Sequence, residues 1–194
     1  MSLEGRTIAY AMAGSHCTLE QVFEPMARLV ELGAHIVPVI SFTVAQTTTR
    51  FGAPEDWVRR IEAITARAPL RTIPEVEPLG PKGLVDLTLV APCTGNTLAR
   101  IANAINDSPV TMAVKTTLRG GRPVVLAITS NDILGMNARN LGTVLAAKNI
   151  YLVPFGQDNP SVKPNSCESN FRLIPEAVEA ALQGRQLQPL LIGR

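Results

Sequence analysis

Four short clusters of small and hydroxyl-bearing residues follow apolar runs along the chain. They are Gly14 with Ser15, Ser41 with Thr43, the stretch "PCTGNT" (92–97), and Thr129 with Ser130, Asn131 and Asp132. In "AGSHCT" the glycine lets the backbone approach a ligand and Ser15 offers a hydroxyl. The amides that follow point outward at a helix start, which suits a phosphate. An ordinary strand-to-helix turn has the same composition, so both readings stand. The spacing is not G-x-G-x-x-G, and a dinucleotide fingerprint is absent. Ser41 and Thr43, in "SFT", stand where a dinucleotide site carries an acidic residue for a ribose; hydroxyls there suit a phosphate or a flavin edge.

"PCTGNT" carries the most chemistry. Pro92 ends an apolar run, Thr94 and Gly95 permit a tight backbone path, and Asn96 with Thr97 opens a helical pattern. The Asn96 amide both donates and accepts, matching the mixed edge of a flavin or an amide-like substrate. Thr94 or Asn96 is equally suited to cap the helix. Cys93 lies beside this loop with no cation near it in sequence, which favours packing over a redox role.

The elements that must position these clusters alternate between two periods. Apolar runs predict five strands: "RTIAYAMAG" (6–14), "AHIVPVIS" (34–41), "LVDLTLVAP" (84–92), "PVVLAIT" (123–129) and "IYLVPF" (150–155). Between them lie helical patterns. In the first, Val22, Phe23, Met26, Leu29 and Val30 share a face. Thr18 and Gln21 form a capping-box pattern, and Gly33 supplies a stop. Pro25 kinks that helix or delays its start. Trp57, Val58, Ile61 and Ile64 mark the second helix, and Leu98, Ile101, Ala102 and Ile105 the third. Residues 133–149 and 173–184 supply two more. Residues 70–83 read as a Pro- and Gly-rich connection with room for a short strand, and 156–170 as a polar loop. Asp132 is positioned to cap the helix that follows it. Alternation of this kind predicts a three-layer α/β/α sandwich on a parallel sheet, Rossmann-like or flavodoxin-like. Ligands bind such sheets outside the carboxyl ends of the strands, where the four clusters converge.

Composition excludes several classes. With 18 basic and 16 acidic residues there is no nucleic-acid footprint. Aromatics at 4% argue against a base-stacking platform. Three cysteines, Cys17, Cys93 and Cys167, lack C-x-x-C spacing, and two histidines, His16 and His35, are too few for most metal sites. No metal is expected. No signal-peptide pattern and no apolar run of about eighteen residues is apparent, so a cytoplasmic protein is expected.

"APCTGNTLARIANAINDSPVTMA" resembles the loop-and-helix signature of the superfamily of flavin-containing cysteine decarboxylases and flavin prenyltransferases. There a P-x-S/T-x-N-T-like loop lies against FMN. "GSHCT" and "VIS" stand where that superfamily holds the flavin phosphate. Within it, "TTTRFG", "EPLGPKG", "DSPVTMA", "SNDILGMNARN", "PFGQDNPSVKPNS" and "LQPLL" resemble the branch of dipicolinate synthase B subunits. That resemblance covers nearly the whole chain.

It implies a single flavoprotein-like domain over 1–194, with a C-terminal substrate or subunit-contact loop and helix from about 155 to 194. FMN is the implied cofactor, held by Gly14, Ser15, Ser41, Thr43, Pro92, Thr94, Asn96, Thr97, Thr129 and Ser130. The implied role is the oxidation of dihydrodipicolinate, or its hydrated precursor, to dipicolinate in the mother cell of a sporulating bacterium. The chain would act with the A subunit of dipicolinate synthase, which carries NAD(P), and form a homo-oligomer, a trimer or larger. A small dicarboxylate substrate calls for cations. Arg50 and Lys163, with Asn165, are the candidates from loops framing the strand ends; as single residues they also read as solvated surface groups. The alternatives are an FMN-dependent decarboxylase or transferase of the same superfamily, and a non-catalytic scaffold for the partner. Thr129 and Ser130 replace the Arg-Glu pair of the prenyltransferases. "GMNARN" lacks the proline of the decarboxylases' P-x-M-N motif, and neither histidine stands at their catalytic place.

Overall fold

A computed structural model of the chain describes residues 3–15 and 17–193. His16 lies outside the described residues. The apolar runs form the central strands β1 (Thr7–Met12), β2 (His35–Ile40), β3 (Leu87–Thr94), β4 (Val124–Ser130) and β5 (Ile150–Leu152). β1, β3 and β4 are buried along almost their whole length, as expected of parallel strands covered on both faces. β1 pairs in parallel with β2, Thr7 opposite His35 through Met12 opposite Ile40, and on its other edge with β3. β3 pairs with β4, and the register shifts between Val90 and Cys93. Pro92, which has no N–H to give to the ladder, lies inside that shift. The chain leaves β1 in one direction and returns past it to β3, so the sheet order reverses at β1. Crevices open at such reversals.

The sheet is not wholly parallel. The expected fifth strand, 150–155, divides into β5 and the first residue of β6 (Phe155–Gln157). The segment expected to be a polar loop contains the rest of β6 and β7 (Cys167–Ser169), an antiparallel pair, with β7 running antiparallel to the end of β4. β5 takes the first half of that β4 edge, Val124 to Leu126, and β7 takes Thr129 and Ser130. Three-residue strands in polar sequence carry too little alternation to be read in advance.

Alternation along β1 sorts the core. Ile8, Tyr10 and Met12 pack with α1 (Phe23–Glu31), α3 (Pro54–Thr65) and the C-terminal α8 (Ile174–Leu182). Ala9 and Ala11 face the opposite layer, which includes α4 (Ile73–Val76), α5 (Gly95–Ala102), α6 (Pro109–Arg119) and α7 (Ala138–Leu145).

Several boundaries differ from the sequence reading. α1 starts only at Phe23, so Pro25 falls in its first turn, where its missing N–H is harmless. The capping box does not form: the Thr18 hydroxyl donates to the carbonyl and hydroxyl of Ser15 instead. Val30 is 36% exposed, at the edge of the buried face. A short helix, α2 (Phe42–Gln46), follows β2, and the 70–83 connection contains α4, with Thr72 and Glu75 at its start. α5 stops at Ala102 because Ala104 turns left-handed at φ 56°, and Ile105 is left 47% exposed. Helix α7 is shorter than predicted. Asp132 organises turns ahead of it, accepting from the Met136 amide at 3.2 Å and the Asn137 side chain at 3.2 Å, and does not cap α7 itself.

Candidate functional site

The ends of β1, β2 and β3 enclose a cleft of about 430 Å³. Gly14 forms its floor. A Cβ at Gly14 would lie 2.9 Å from both Cβ and Cγ2 of Thr43, so the β1 and β2 loops close together only because no side chain stands there. On the β2 side, Ser41 accepts from the Val44 amide at 3.3 Å and caps α2, and Phe42 and Thr43 present exposed side chains to the cleft.

The opposite wall is the start of α5. The Thr94 hydroxyl accepts from the Thr97 amide at 3.1 Å and donates to the Thr97 hydroxyl at 3.0 Å. The cap is therefore Thr94. Asn96 lines the cleft, exposed, and its amide has no partner among the described residues. Gly95 sits tightly against β4: a Cβ there would meet the Ser130 hydroxyl at 2.5 Å and the Asn137 amide nitrogen at 2.9 Å. Behind it runs a chain of amides. Asn103 donates to Asn140 at 3.3 Å, Asn140 to Asn137 at 2.9 Å, and Asn137 to Asp132 at 3.2 Å.

The third wall joins α5 to α6. Arg100 Nε lies 2.9 Å from Oδ1 and 3.1 Å from Oδ2 of Asp107. Ser108 caps α6 by accepting from the Thr111 amide at 3.2 Å. Arg100, Asp107 and Ser108 line the cleft and were not singled out from the sequence. Ser108 and Thr111 around Pro109 form a readable helix-start signal. Arg100 and Asp107 carry no local signal, since a left-handed turn brings them together.

Of the residues expected at a cofactor, Gly14, Ser41, Thr43, Thr94, Asn96 and Thr97 meet in this cleft. Ser15, Pro92, Thr129 and Ser130 do not line it. Ser15 is tied to Thr18, and the Pro92 carbonyl accepts from the Ala13 amide at 3.2 Å. Thr129 is buried opposite Thr94 in the sheet, and the Ser130 hydroxyl accepts from the Asp132 amide at 3.2 Å. Nor do the expected substrate contacts line it. Arg50 is exposed, its guanidinium 4.8 Å from the Phe51 ring centre. Lys163 pairs with Asp158 at 3.4 Å. Burial opposes ionisation of Asp158, but hydrogen bonds from Ser166, its own amide and Lys163 outweigh it and hold the carboxyl below its usual range. Asn165 is exposed on the same loop, its carbonyl accepting from the Leu134 amide at 3.0 Å. Burial pushes the Cys93 thiol up to about 12, which suits packing and not nucleophilic work. Among the described residues no group of three or more His, Cys, Asp or Glu is placed to hold a metal, and no helix is long and apolar enough to cross a membrane.

Residues 2–155 match the flavoprotein family. The chain is 48% identical over 191 residues to the dipicolinate synthase B subunit of Bacillus subtilis (strain 168), covering 98% of this chain and 96% of that one. The crystal structure of the dipicolinate synthase B subunit from Bacillus halodurans C superposes with a TM-score of 0.93 at 46% identity, over 100% of both chains. The FMN-dependent cysteine decarboxylase SpaF shares the fold, with a TM-score of 0.68 at 20% identity over 94% of this chain and 98% of that one.

Proposed function

The chain belongs to the flavoprotein family, in the branch of the dipicolinate synthase B subunits, and on that premise we propose that it is one subunit of an oxidoreductase that converts dihydrodipicolinate, or its hydrated precursor, to dipicolinate. The observation that carries this reading is the match to a dipicolinate synthase B subunit over 98% of the chain.

An FMN fits the cleft by the chemistry of its walls. The volume of about 430 Å³ is in the range of small-molecule sites. The hydroxyls of Ser41 and Thr43 beside Gly14 suit a phosphate, with Ser15 behind them. The Asn96 amide, without a partner among the described residues, suits a ring edge that both donates and accepts. Thr94 and Thr97 hold that amide in place through the helix cap, and Pro92, Thr129 and Ser130 act from the layer beneath. Phe42, 39% exposed, offers the ring an apolar face. A bound flavin supplies reversible two-electron acceptance.

The nicotinamide cofactor, in this reading, belongs to the A subunit. Gly14 is followed by no second glycine at dinucleotide spacing, and β2 ends in Ser41 without an acid for a ribose. Arg50, Lys163 and Asn165 act on substrate from a neighbouring copy in a homo-oligomer, together with the segment from about 155 to 194. The test is reconstitution. The cyclic precursor and NAD(P) are supplied to this chain, to the A subunit, and to their mixture, while the ultraviolet absorbance of dipicolinate is followed. Substantial turnover only in the mixture is expected. Full activity of the A subunit on its own would reduce this chain to a stabiliser, and full activity of this chain alone would overturn the assignment of the nicotinamide cofactor.

A further inference from the structure

Among the described residues, Arg100 is the one cation lining the strand-end cleft. Its side chain is 33% exposed and its partner Asp107 52%. A pair this open contributes little to stability, so its geometry is the informative part. Both Asp107 oxygens lie against Nε, at 2.9 and 3.1 Å. The carboxylate therefore grips the guanidinium from its side and leaves the two terminal nitrogens without a partner among the described residues. Those nitrogens form the planar fork that matches a carboxylate with two parallel hydrogen bonds. Asp107 fixes the orientation of the fork and removes part of its torsional freedom, which lowers the entropy lost when a ligand binds.

The strand order says which anion meets this fork. β1 lies between β2 and β3, so the loop after β2, with Ser41 and Thr43, and the helix after β3, with Arg100, stand on opposite sides of Gly14. A phosphate held at the β2 side leaves the Arg100 side for a second anion. Resting on the proposed function, we propose that Arg100, oriented by Asp107, binds one carboxylate of the dicarboxylate substrate and sets the preference for a dicarboxylate over a monocarboxylate. Neither of the two cations that the sequence suggests for substrate lines the cleft of its own chain, Lys163 lying beside Asp158 and Arg50 over Phe51, so a neighbouring copy's loops leave this carboxylate to Arg100.

The experiment is calorimetric titration of dipicolinate and of pyridine-2-carboxylate into the wild-type chain, Arg100→Gln and Arg100→Lys, each alone and mixed with the A subunit. FMN and riboflavin affinities are read in parallel by flavin fluorescence, and thermal melts report folding. Arg100→Gln is expected to weaken dipicolinate roughly tenfold or more, as loss of a charged hydrogen-bonding partner does. It should also erase the preference for dipicolinate over the monocarboxylate, while FMN affinity stays within about twofold. Arg100→Lys keeps the charge without the fork and should fall between the two. Unchanged dipicolinate affinity in Arg100→Gln overturns the proposal. So does a loss of FMN affinity with riboflavin unaffected, which would give the fork to the phosphate, and so does a wild-type chain that binds no dipicolinate in either setting. Wild type that binds dipicolinate but no flavin refutes the flavin reading and leaves the Arg100 result standing.

Discussion

Gly14 and Thr43 touch across the ends of two neighbouring strands, so closely that a single methyl on Gly14 would sit 2.9 Å from the Thr43 Cβ and Cγ2. Real side chains do not approach in this way, so Gly14→Ala must push the β2 loop outward. Overpacking of this kind costs ~1–3 kcal/mol. The expected outcome is a modest fall in melting temperature and a larger loss of FMN affinity in fluorescence titration, because the displaced loop carries Ser41 and Thr43. Flavin affinity equal to wild type would move the phosphate away from this contact.

Thr94 and Asn96 divide two roles that the sequence left undivided. Thr94 makes the cap, and the Asn96 amide has no partner among the described residues. Thr94→Ala should therefore cost ~1 kcal/mol of stability in denaturant unfolding. Asn96→Asp should leave stability nearly unchanged and weaken flavin binding, since it removes an amide donor and adds a charge. The opposite pattern would assign the capping role to Asn96 and remove it from the cleft.

Cys93 gives the chain an alkaline signature. Burial raises its thiol from an ordinary value of 9.0 to about 12. Between those values the unfolded chain loses the proton while the folded chain keeps it. The folded state then binds more protons, and stability falls as pH rises through that window. Below pH 9 the group contributes no slope. Cys93→Ala should flatten the alkaline limb of the stability profile by up to ~1.4 kcal/mol per pH unit. Alkylation of the native protein at pH 8 should label the exposed Cys17 and spare Cys93 and Cys167, which are buried.

What could be read beforehand follows from the length of each signal. β3 and β4 are long apolar runs buried on both faces, and such runs are legible. Part of the cleft follows from such runs: parallel strands end on one side of the sheet, which brings Gly14, Ser41 and Thr94 together at the ends of β1, β2 and β3, while Thr129 and Ser130 at the end of β4 stay outside the cleft. β6 and β7, at three residues each, had no period to show. The Arg100–Asp107 pair depends on Ala104 adopting φ 56°, a conformation that alanine rarely takes and that no local motif announces. The sequence signals at Arg50 and Lys163 are charge and loop context, which say nothing of which way a loop turns.

Asn140 is 7% exposed, and its side chain sits in the middle of the amide chain that backs the Gly95 turn. It accepts from Asn103 on the segment ending α5 and donates to Asn137 ahead of α7, so it ties the helix that carries Asn96 and Arg100 to the turn after β4. Asn140→Leu keeps the volume and removes both hydrogen bonds, leaving the Asn137 oxygen to find another partner in a partly buried place, while the Asn103 amide keeps its bond to the Ala99 carbonyl. A loss of ~1–3 kcal/mol in unfolding free energy is expected. A second effect separates positioning from simple packing. Gly95 leaves no slack against Ser130 and Asn137, so movement of Asn137 is transmitted to the start of α5. Flavin and dipicolinate affinities should both fall in Asn140→Leu, measured well below its melting temperature. Asn103→Ala, which removes the 3.3 Å link together with the 2.7 Å hydrogen bond from the same amide to the Ala99 carbonyl but leaves Asn140 bonded to Asn137, should produce a smaller change in the same direction. Stability lost with both affinities intact would show that the amide chain supports the fold without aiming the cleft.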